Sequence, residues 1–200
     1  TMQDTVRSAF EKRRSIYALG KRKVADEKAV RDIVEYATKH VPSAFNSQGA
    51  RVVILFGAES DRFWSIAREA LRKIVPPDAF PQTEAKLAAF AAGLGTILFF
   101  EEQKTVEDLQ NRFALYRDNF PVWSLQSNGM LEFAVWTLLA EAGLGASLQH
   151  YNPLVDDEVR KAWNLPPSWK LLAEMPFGSV ESPAGEKEFL PIGERVKSFG

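Results

Sequence analysis

The chain has 200 residues, of which 46% are hydrophobic and 26% are charged, and its formal charge at pH 7 is −1. A chain of this size can bury roughly 70% of its unfolded surface, so its composition excludes disorder as the main state. The balanced charge also lacks the basic excess that nucleic-acid binding requires. No linker or repeat divides the sequence. We therefore expect one domain over residues 1–200 that binds small molecules or another chain and no nucleic acid.

The sequence offers few residues for metal or thiol chemistry. Cysteine is absent, which excludes disulfides, thiolate zinc sites and a cysteine nucleophile. The two histidines, His40 and His150, lack the spacing of a paired metal site, and we expect no metal.

Two segments bear on location. Residues 1–14 are charged throughout and contain no apolar signal segment. Residues 130–148 are rich in apolar side chains but include Glu132 and Glu141 and are interrupted by glycines, which predicts a buried helix and not a membrane span. We expect a cytoplasmic protein without membrane contact.

Hydrophobic periodicity predicts alternating helices and strands. A helix is predicted to begin after Asp26 as its N-cap and to end at His40, before Pro42. The run Val52–Phe56 is rich in β-branched residues, ends at Gly57 and predicts a buried strand. Other predicted helices cover 5–14, 60–74 (with Ser60 or Asp61 as N-cap), 83–92, 106–116, 121–142 and 156–163, and other predicted strands cover 96–100, 146–151 and 169–175.

Two segments carry apolar side chains that one small domain has difficulty covering. The helix predicted over 121–142 is apolar on nearly every face and must be covered on all sides, by its own domain or by a partner. The charged tail from Gly178 to Gly200 also contains Phe189, Leu190 and Phe199, which need a surface to pack against. We infer that this tail wraps over a neighbouring subunit.

Several familiar catalytic motifs are absent or incomplete. There is no P-loop and no G-x-S-x-G elbow. Residues 143–148 begin like a dinucleotide fingerprint but lack its last glycine, so Gly143 is predicted to end a helix. The pairs Glu101–Glu102 and Asp156–Asp157 lie at predicted element ends, where solvation or the helix dipole accounts for them.

Two constellations remain as candidates for binding. Arg13, Arg14, Ser15 and Tyr17 combine guanidinium and hydroxyl groups that suit a phosphate and a sugar chain, although a solvated basic helix end is the alternative. The loop 43–49 contains the amides of Asn46 and Gln48, which can both donate to and accept from the edge of a flat heterocycle. The alternative for this loop is that the amides satisfy turn backbone.

The order of four motifs resembles one known family. These are R-R-S-x-Y at 13–17, P-S-x-x-N-S-Q at 42–48, A-E-x-G-L-G-A at 140–146, and F-G-x-x-x-x-P-x-x-E-K-E-F-x-P-I-x-E-R-V at 177–196. Together they resemble the FMN-dependent nitroreductase superfamily. The similarity is greatest to its short single-domain branch, which includes the yeast fatty-acid-repression-mutant-like proteins and bacterial stress-induced nitroreductases.

The resemblance implies an α+β, nitroreductase-like fold with a central, mainly antiparallel sheet flanked by helices. It also implies an intertwined homodimer that exchanges C-terminal tails and holds FMN at its interface. The implied activity is the reduction of nitroaromatics or quinones, with NADH or NADPH passing a hydride to flavin N5 in a ping-pong reaction. Alternatives on the same fold are a different FMN-dependent redox reaction, or a flavin-binding regulatory or stress-response protein with little turnover.

The resemblance also assigns residues to the FMN site. The phosphate and ribityl chain would be held by Arg13, Arg14, Ser15 and Lys187. The ring would be lined by Tyr17, Asn46 and Gln48, and flavin N5 would lie near the backbone of Leu148, Gln149 and His150. Tyr17 stands where many relatives have a cation, and its neutral phenol would leave reduced flavin without that charge.

The residues that would contact a flat electron acceptor are aromatic. Tyr116, Phe120 and Trp123, with Phe113, are candidates for this pocket, and core or dimer packing is the alternative for each. Because the cofactor carries the chemistry, we assign no catalytic acid or base. His150 is a candidate proton donor near N5, with a structural role as the alternative.

Overall fold

A computed structural model, which describes residues 1–200, contains five strands and eight α-helices. The strands are β1 (Leu19–Gly20), β2 (Ala50–Phe56), β3 (Gly95–Glu102), β4 (Leu144–Ala146) and β5 (Trp169–Val180). The helices are α1 (Met2–Lys12), α2 (Glu27–His40), α3 (Ala58–Arg72), α4 (Phe80–Ala91), α5 (Gln103–Arg112), α6 (Phe120–Glu141), α7 (Asp156–Ala162) and α8 (Ile192–Arg195).

The strands form one antiparallel sheet in the order β1-β5-β3-β2, and β4 also pairs with β5. The central strand β3 is buried along nearly its whole length, because helices cover both faces of the sheet. One face packs against α2 and α6, where Val34, Val135 and Phe99 belong to one buried apolar cluster. The other face packs against α3, α4 and α7, where Phe63 and Leu98 belong to a second buried cluster. The predicted α+β class with an antiparallel sheet is confirmed.

Local sequence signals explain several element boundaries. Asp26 is the N-cap of α2, as predicted, and its Oδ1 accepts a hydrogen bond from the Ala29 amide at 2.8 Å. Gly143 follows the end of α6 with φ 84°, a left-handed conformation that glycine adopts without strain. β3 and α6 also lie close to their predicted bounds.

Other predictions were wrong in ways that tertiary structure explains. The strand predicted from Val52 is an edge strand in which only Leu55 is buried. Helix α3 begins directly after Gly57, so neither Ser60 nor Asp61 caps it, and the Ser60 hydroxyl instead shares a buried hydrogen bond with Thr96 at 2.8 Å.

Strand lengths in the second half of the chain also differ from the prediction. The strand predicted over 146–151 covers only Leu144–Ala146, followed by an isolated bridge at Gln149. The strand predicted over 169–175 continues to Val180, so the tail begins later than expected. The helix predicted over 106–116 ends at Arg112, and a 3-10 turn covers 114–116.

Helix α6 and the tail leave apolar side chains uncovered within one protomer. Opposite its buried face, α6 exposes Val122, Leu125 and Met130. The tail exposes Phe189 and Phe199 among its apolar residues. These exposed groups are the surfaces for which the sequence predicts a partner subunit, and dimerisation stays a prediction. None of the helices combines the length and apolarity needed to cross a bilayer.

Candidate functional site

The basic segment after α1 is held against the sheet by backbone contacts. Arg13 ends the helix with extended dihedral angles, φ −65° and ψ 115°. The chain then runs beside β4, where Ser15 forms a parallel bridge with Ala146 and the Ile16 amide donates to the Ala146 carbonyl at 2.9 Å. This geometry directs residues 13–17 to one edge of the sheet.

The start and the end of the chain enclose a basic cavity of about 490 Å³. Its lining includes Arg13, Arg14, Ser15, Tyr17 and Lys187, together with residues 182–185. Arg14 Nη2 donates to the Gly185 carbonyl at 2.7 Å, which ties the tail to the N-terminal segment. The structure therefore brings together all four residues that the sequence assigns to a phosphate and ribityl chain, with Tyr17 beside them.

Arg13 is the most constrained cation of this cavity. Its guanidinium lies 4.4 Å from the Trp136 ring centroid and 5.9 Å from that of Phe133. Desolvation, and then the charge of Arg14, lower the pKa of Arg13. Its buried Nε has no hydrogen-bond acceptor in the chain. Because a buried donor without a partner is unfavourable, an anionic ligand such as the phosphate of FMN fits this cavity.

The amide-bearing loop between α2 and β2 is conformationally strained. Phe45, Asn46 and Gln48 have φ values of 56°, 51° and 53°, a left-handed region that non-glycine residues rarely occupy. Two hydrogen bonds from side-chain hydroxyls hold the loop. The Gln48 backbone N–H donates to Ser43 Oγ at 2.9 Å, and Ser127 Oγ donates to the Pro42 carbonyl at 2.8 Å. Such strain is typical of functional loops.

The two predicted amides differ in their local bonding. Gln48 Nε2 donates to the Asn46 carbonyl at 3.3 Å, which is a partial use of its donors. The Asn46 side chain is exposed and makes no hydrogen bond within the chain. At least one amide of the loop is therefore available to a ligand, contrary to the interpretation in which both serve the turn.

An aromatic cluster adjoins the loop. Phe45 stacks on Phe113 with ring centroids 4.8 Å apart and meets Phe120 edge-on at 5.6 Å. Phe120 is only 2% exposed and forms the buried side of the cluster. Tyr116 is 41% exposed and Trp123 is half-buried. Among the candidate pocket residues, Tyr116 and Trp123 have surface to offer a ligand. Phe45, which no sequence motif indicated, is 54% exposed and has a left-handed φ.

Glu101 lies under the same loop and corrects a prediction. The sequence analysis treated it as solvated, but it is buried, with Oε1 accepting from Ser124 Oγ at 2.8 Å and Oε2 from Asn128 Nδ2 at 2.9 Å. Burial raises its pKa, against the effect of these two hydrogen bonds and of Arg51. A methyl group on Gly49 would approach Oε1 to 3.1 Å, so the carboxyl supports the loop end directly.

The segment after β4 is anchored to β5. The Gln149 amide donates to the Glu174 carbonyl at 2.7 Å, and the Glu174 amide donates back to the Gln149 carbonyl at 2.8 Å. The Glu174 side chain is fully buried and accepts from the Tyr151 amide at 2.7 Å. Burial, as the largest cause, raises the pKa of Glu174 to about 8. Leu148 is half-buried and His150 is exposed.

The basic cavity and the amide loop lie toward opposite ends of α6. Ser127 contacts Pro42 at the start of the loop, whereas Glu141 pairs with Lys12 at 3.7 Å beside the basic segment. Trp136, which packs on Arg13, is 9 helical positions from Ser127, or about 13.5 Å at 1.5 Å each, and Glu141 is 14 positions, or about 21 Å, from it. One protomer therefore displays two separated groups of candidate residues, and it does not bring Asn46 and Gln48 beside Arg13.

The sequence of this chain is similar to that of known nitroreductases. The Nitroreductase family model matches residues 10–179. The putative nitroreductase HBN1 of Saccharomyces cerevisiae is 33% identical over 181 residues and covers 89% of each chain. The nitroreductase FRM2 of the same yeast is 30% identical over 189 residues, or 92% of each chain.

Solved structures give the same result. Nitroreductase CinD from Lactococcus lactis, in complex with chloramphenicol, is 48% identical, covers 98% of this chain and 100% of its own, and superposes with a TM-score of 0.90. Its complex with 4-nitrophenol gives 49% identity and a TM-score of 0.89 with the same coverage. The family match, the relatives and the shared fold together show that this chain belongs to the Nitroreductase family and is a nitroreductase-type oxidoreductase.

Proposed function

We propose that the protein is an FMN-dependent NAD(P)H oxidoreductase that reduces nitroaromatics, quinones or both with ping-pong kinetics. The observation that carries the proposal is the basic cavity, which is lined by Arg13, Arg14 and Lys187. None of these three cations is paired with a carboxylate, and Arg13 Nε has no hydrogen-bond acceptor. Bound FMN would supply the redox chemistry, the transfer of two electrons from the nicotinamide to the acceptor. The protein's task is then to bind, orient and tune the cofactor.

The cofactor's phosphate fits the basic cavity on grounds of charge and hydrogen bonding. Arg14 is already oriented by its hydrogen bond to Gly185, which leaves its other donors free. Ser15 adds a hydroxyl, and Lys187 from the tail adds a third positive charge to those of Arg13 and Arg14. Because Lys187 belongs to the tail, ordering of the tail and binding of the phosphate are expected to stabilise each other.

We further propose a homodimer in which two protomers complete each site. The amides of Asn46 and Gln48 suit the edge of the isoalloxazine ring, but their loop contacts α6 at Ser127, about 13.5 Å along the helix from Trp136, on which Arg13 packs. A symmetric dimer that packs on the exposed face of α6 brings the loop of one protomer toward the basic cavity of the other. The exposed apolar side chains of α6 and of the tail support such a contact.

The acceptor is proposed to bind against the aromatic cluster near the loop. Tyr116, Trp123 and Phe45 present partly exposed rings that can stack on a flat substrate. CinD has been solved with 4-nitrophenol and with nicotinic acid, which are flat aromatic molecules. That similarity supports an aromatic acceptor here.

A binding experiment tests the cofactor assignment. FMN fluorescence is titrated with the wild type, with Arg13→Gln, and with Lys12→Gln as a neighbouring control whose charge is paired with Glu141. We expect the wild type and the control to quench FMN equally and Arg13→Gln to bind at least tenfold more weakly. Failure of the wild type to quench FMN contradicts the proposal. Bound flavin that neither NADH nor NADPH reduces would instead favour a flavin-binding regulatory protein.

A further inference from the structure

Arg51 is a fixed cation at the open edge of the sheet. Its Nη1 donates to two carbonyls, that of Gln48 at 2.8 Å and that of Ala50 at 2.9 Å. The carbonyl between them, on Gly49, accepts from the Glu102 amide in β3. Because successive carbonyls of a strand point to opposite sides, that of Ala50 points away from β3, and the guanidinium that bonds it lies beyond the edge of β2.

The charge of Arg51 is not neutralised by a direct partner. Arg51 takes part in none of the protein's ion pairs, whereas Arg31 in the same groove pairs with Glu27 at 3.7 Å. At longer range its charge acts on two carboxyls: it opposes the rise that burial causes in the pKa of Glu101, and it adds to the hydrogen bonds that lower the pKa of Glu102. Glu101 already accepts from Ser124 and Asn128. Nε and Nη2 of Arg51 therefore remain free to meet an anionic group.

The location of this cation connects it with the candidate ring site. Arg51 and Gln48 line the same groove, which has a volume of about 740 Å³ and includes Ser43 and Trp169. A ligand that meets the Gln48 side chain lies next to a guanidinium anchored to the Gln48 backbone. Two carbonyl contacts limit the side chain's freedom, so the charge is preorganised and does not need to move when a ligand arrives.

Reduction of a flavin creates the charge that such a cation stabilises. Hydride transfer converts NAD(P)H to NAD(P)⁺ and adds two electrons and one proton to FMN, so the ring becomes more negative by one unit until a second proton arrives. A guanidinium beside the ring favours this state over the oxidised one. We propose that Arg51 sets the reduction potential by stabilising anionic reduced FMN, an inference that rests on the proposed function.

The test compares binding of the two redox states in matched variants. Wild type, Arg51→Gln, Arg51→Lys and the groove control Arg31→Gln are loaded with FMN. The dissociation constant of oxidised FMN is measured by fluorescence, and the midpoint potential by anaerobic dye equilibration. We expect Arg51→Gln to bind reduced FMN at least tenfold more weakly relative to oxidised FMN, a fall of about 30 mV for a two-electron couple. Arg51→Lys should show a smaller fall, because it keeps the charge without the double anchor, and Arg31→Gln none.

Each other outcome has a definite meaning. A change of less than tenfold in that ratio for Arg51→Gln overturns the inference, as does equal weakening of both redox states. Dissociation of an oligomer at unchanged potential also overturns it and assigns Arg51 to an interface. If Arg51→Gln does not fold, the same criteria apply to Arg51→Met, which also removes the charge. Failure of the wild type to bind FMN contradicts the proposed function, and this result is separate from the comparison of variants.

Discussion

The buried carboxyl of Glu174 predicts a pH dependence of stability that one substitution should remove. Burial raises the pKa of Glu174 to about 8 from 4.5, so the folded protein holds a proton that the unfolded chain releases between these values. The stabilisation is therefore complete below about pH 4.5 and is lost progressively as pH rises to about 8. The full loss is about 5 kcal/mol at 1.36 kcal/mol per pH unit.

Glu174→Gln keeps a side-chain oxygen that can accept from the Tyr151 backbone amide, which donates to Glu174 Oε1 at 2.7 Å in the wild type. The glutamine side chain cannot ionise. The free energy of unfolding is measured by urea denaturation of both proteins at pH 5, 6, 7 and 8. The variant should gain about 3.5 kcal/mol relative to the wild type between pH 5 and 8. Glu132, whose pKa burial raises to about 7, is present in both proteins, so its effect cancels to first order. A difference that stays within about 1 kcal/mol across this range would refute the reasoning.

Three other changes test the core and the pocket. Thr96→Val leaves the buried Ser60 hydroxyl and the Trp64 indole N–H without their shared hydrogen-bond partner. It should lower the free energy of unfolding, measured by urea denaturation, by about 2–4 kcal/mol. An unchanged denaturation midpoint would contradict this hydrogen-bond network. Gly95→Ala places a methyl group 2.5 Å from the Leu55 carbonyl and should lower the thermal midpoint by several degrees, whereas a stable variant would show that the strands can separate there. Trp123→Ala should raise KM for 4-nitrophenol several-fold without changing FMN affinity. The control is Leu115→Ala, which changes an exposed side chain. A KM for Trp123→Ala equal to that of this control would exclude Trp123 from the pocket.

The elements that sequence patterns predict well are those whose signals are local. Helix α2 combines an N-cap at Asp26 with a regular apolar stripe, and β3 contains the apolar run Ile97–Phe100 shortly after Gly93 and Gly95. Strand β1 was missed because its two residues are defined by pairing with Val180, which is distant in sequence. The strand that was expected to be buried lies at the sheet edge for a similar reason, since strand order is not encoded locally.

The candidate site shows the same division. The basic and amide groups were found from short motifs, because each is contiguous in the chain. The roles of Glu101 and Arg51 depend on which backbone and side-chain groups the fold brings to them, and no local pattern indicates this. The left-handed conformation of Phe45 is likewise not indicated by its residue type, and its contact with Phe120 of α6 joins residues that are far apart in the chain.

Helix α6 links the two parts of the candidate site. Near its start, Ser124 and Asn128 hold Glu101 beneath the amide loop. Near its end, Trp136 packs on the Arg13 guanidinium and Glu141 pairs with Lys12. A rigid helix of this length fixes the separation between the loop and the cavity. In a symmetric dimer, the two copies of α6 would fix the positions of both sites relative to each other.

Anaerobic reduction of the purified protein, followed by visible absorption, tests the central claim most directly. The account predicts a flavin spectrum that NADH or NADPH bleaches rapidly, and that returns stoichiometrically when 4-nitrophenol or a quinone is added after the nicotinamide has been consumed. A colourless protein that cannot be reconstituted with FMN would contradict the account. A bound flavin that neither nicotinamide bleaches would contradict the reductase and leave only a flavin-binding role.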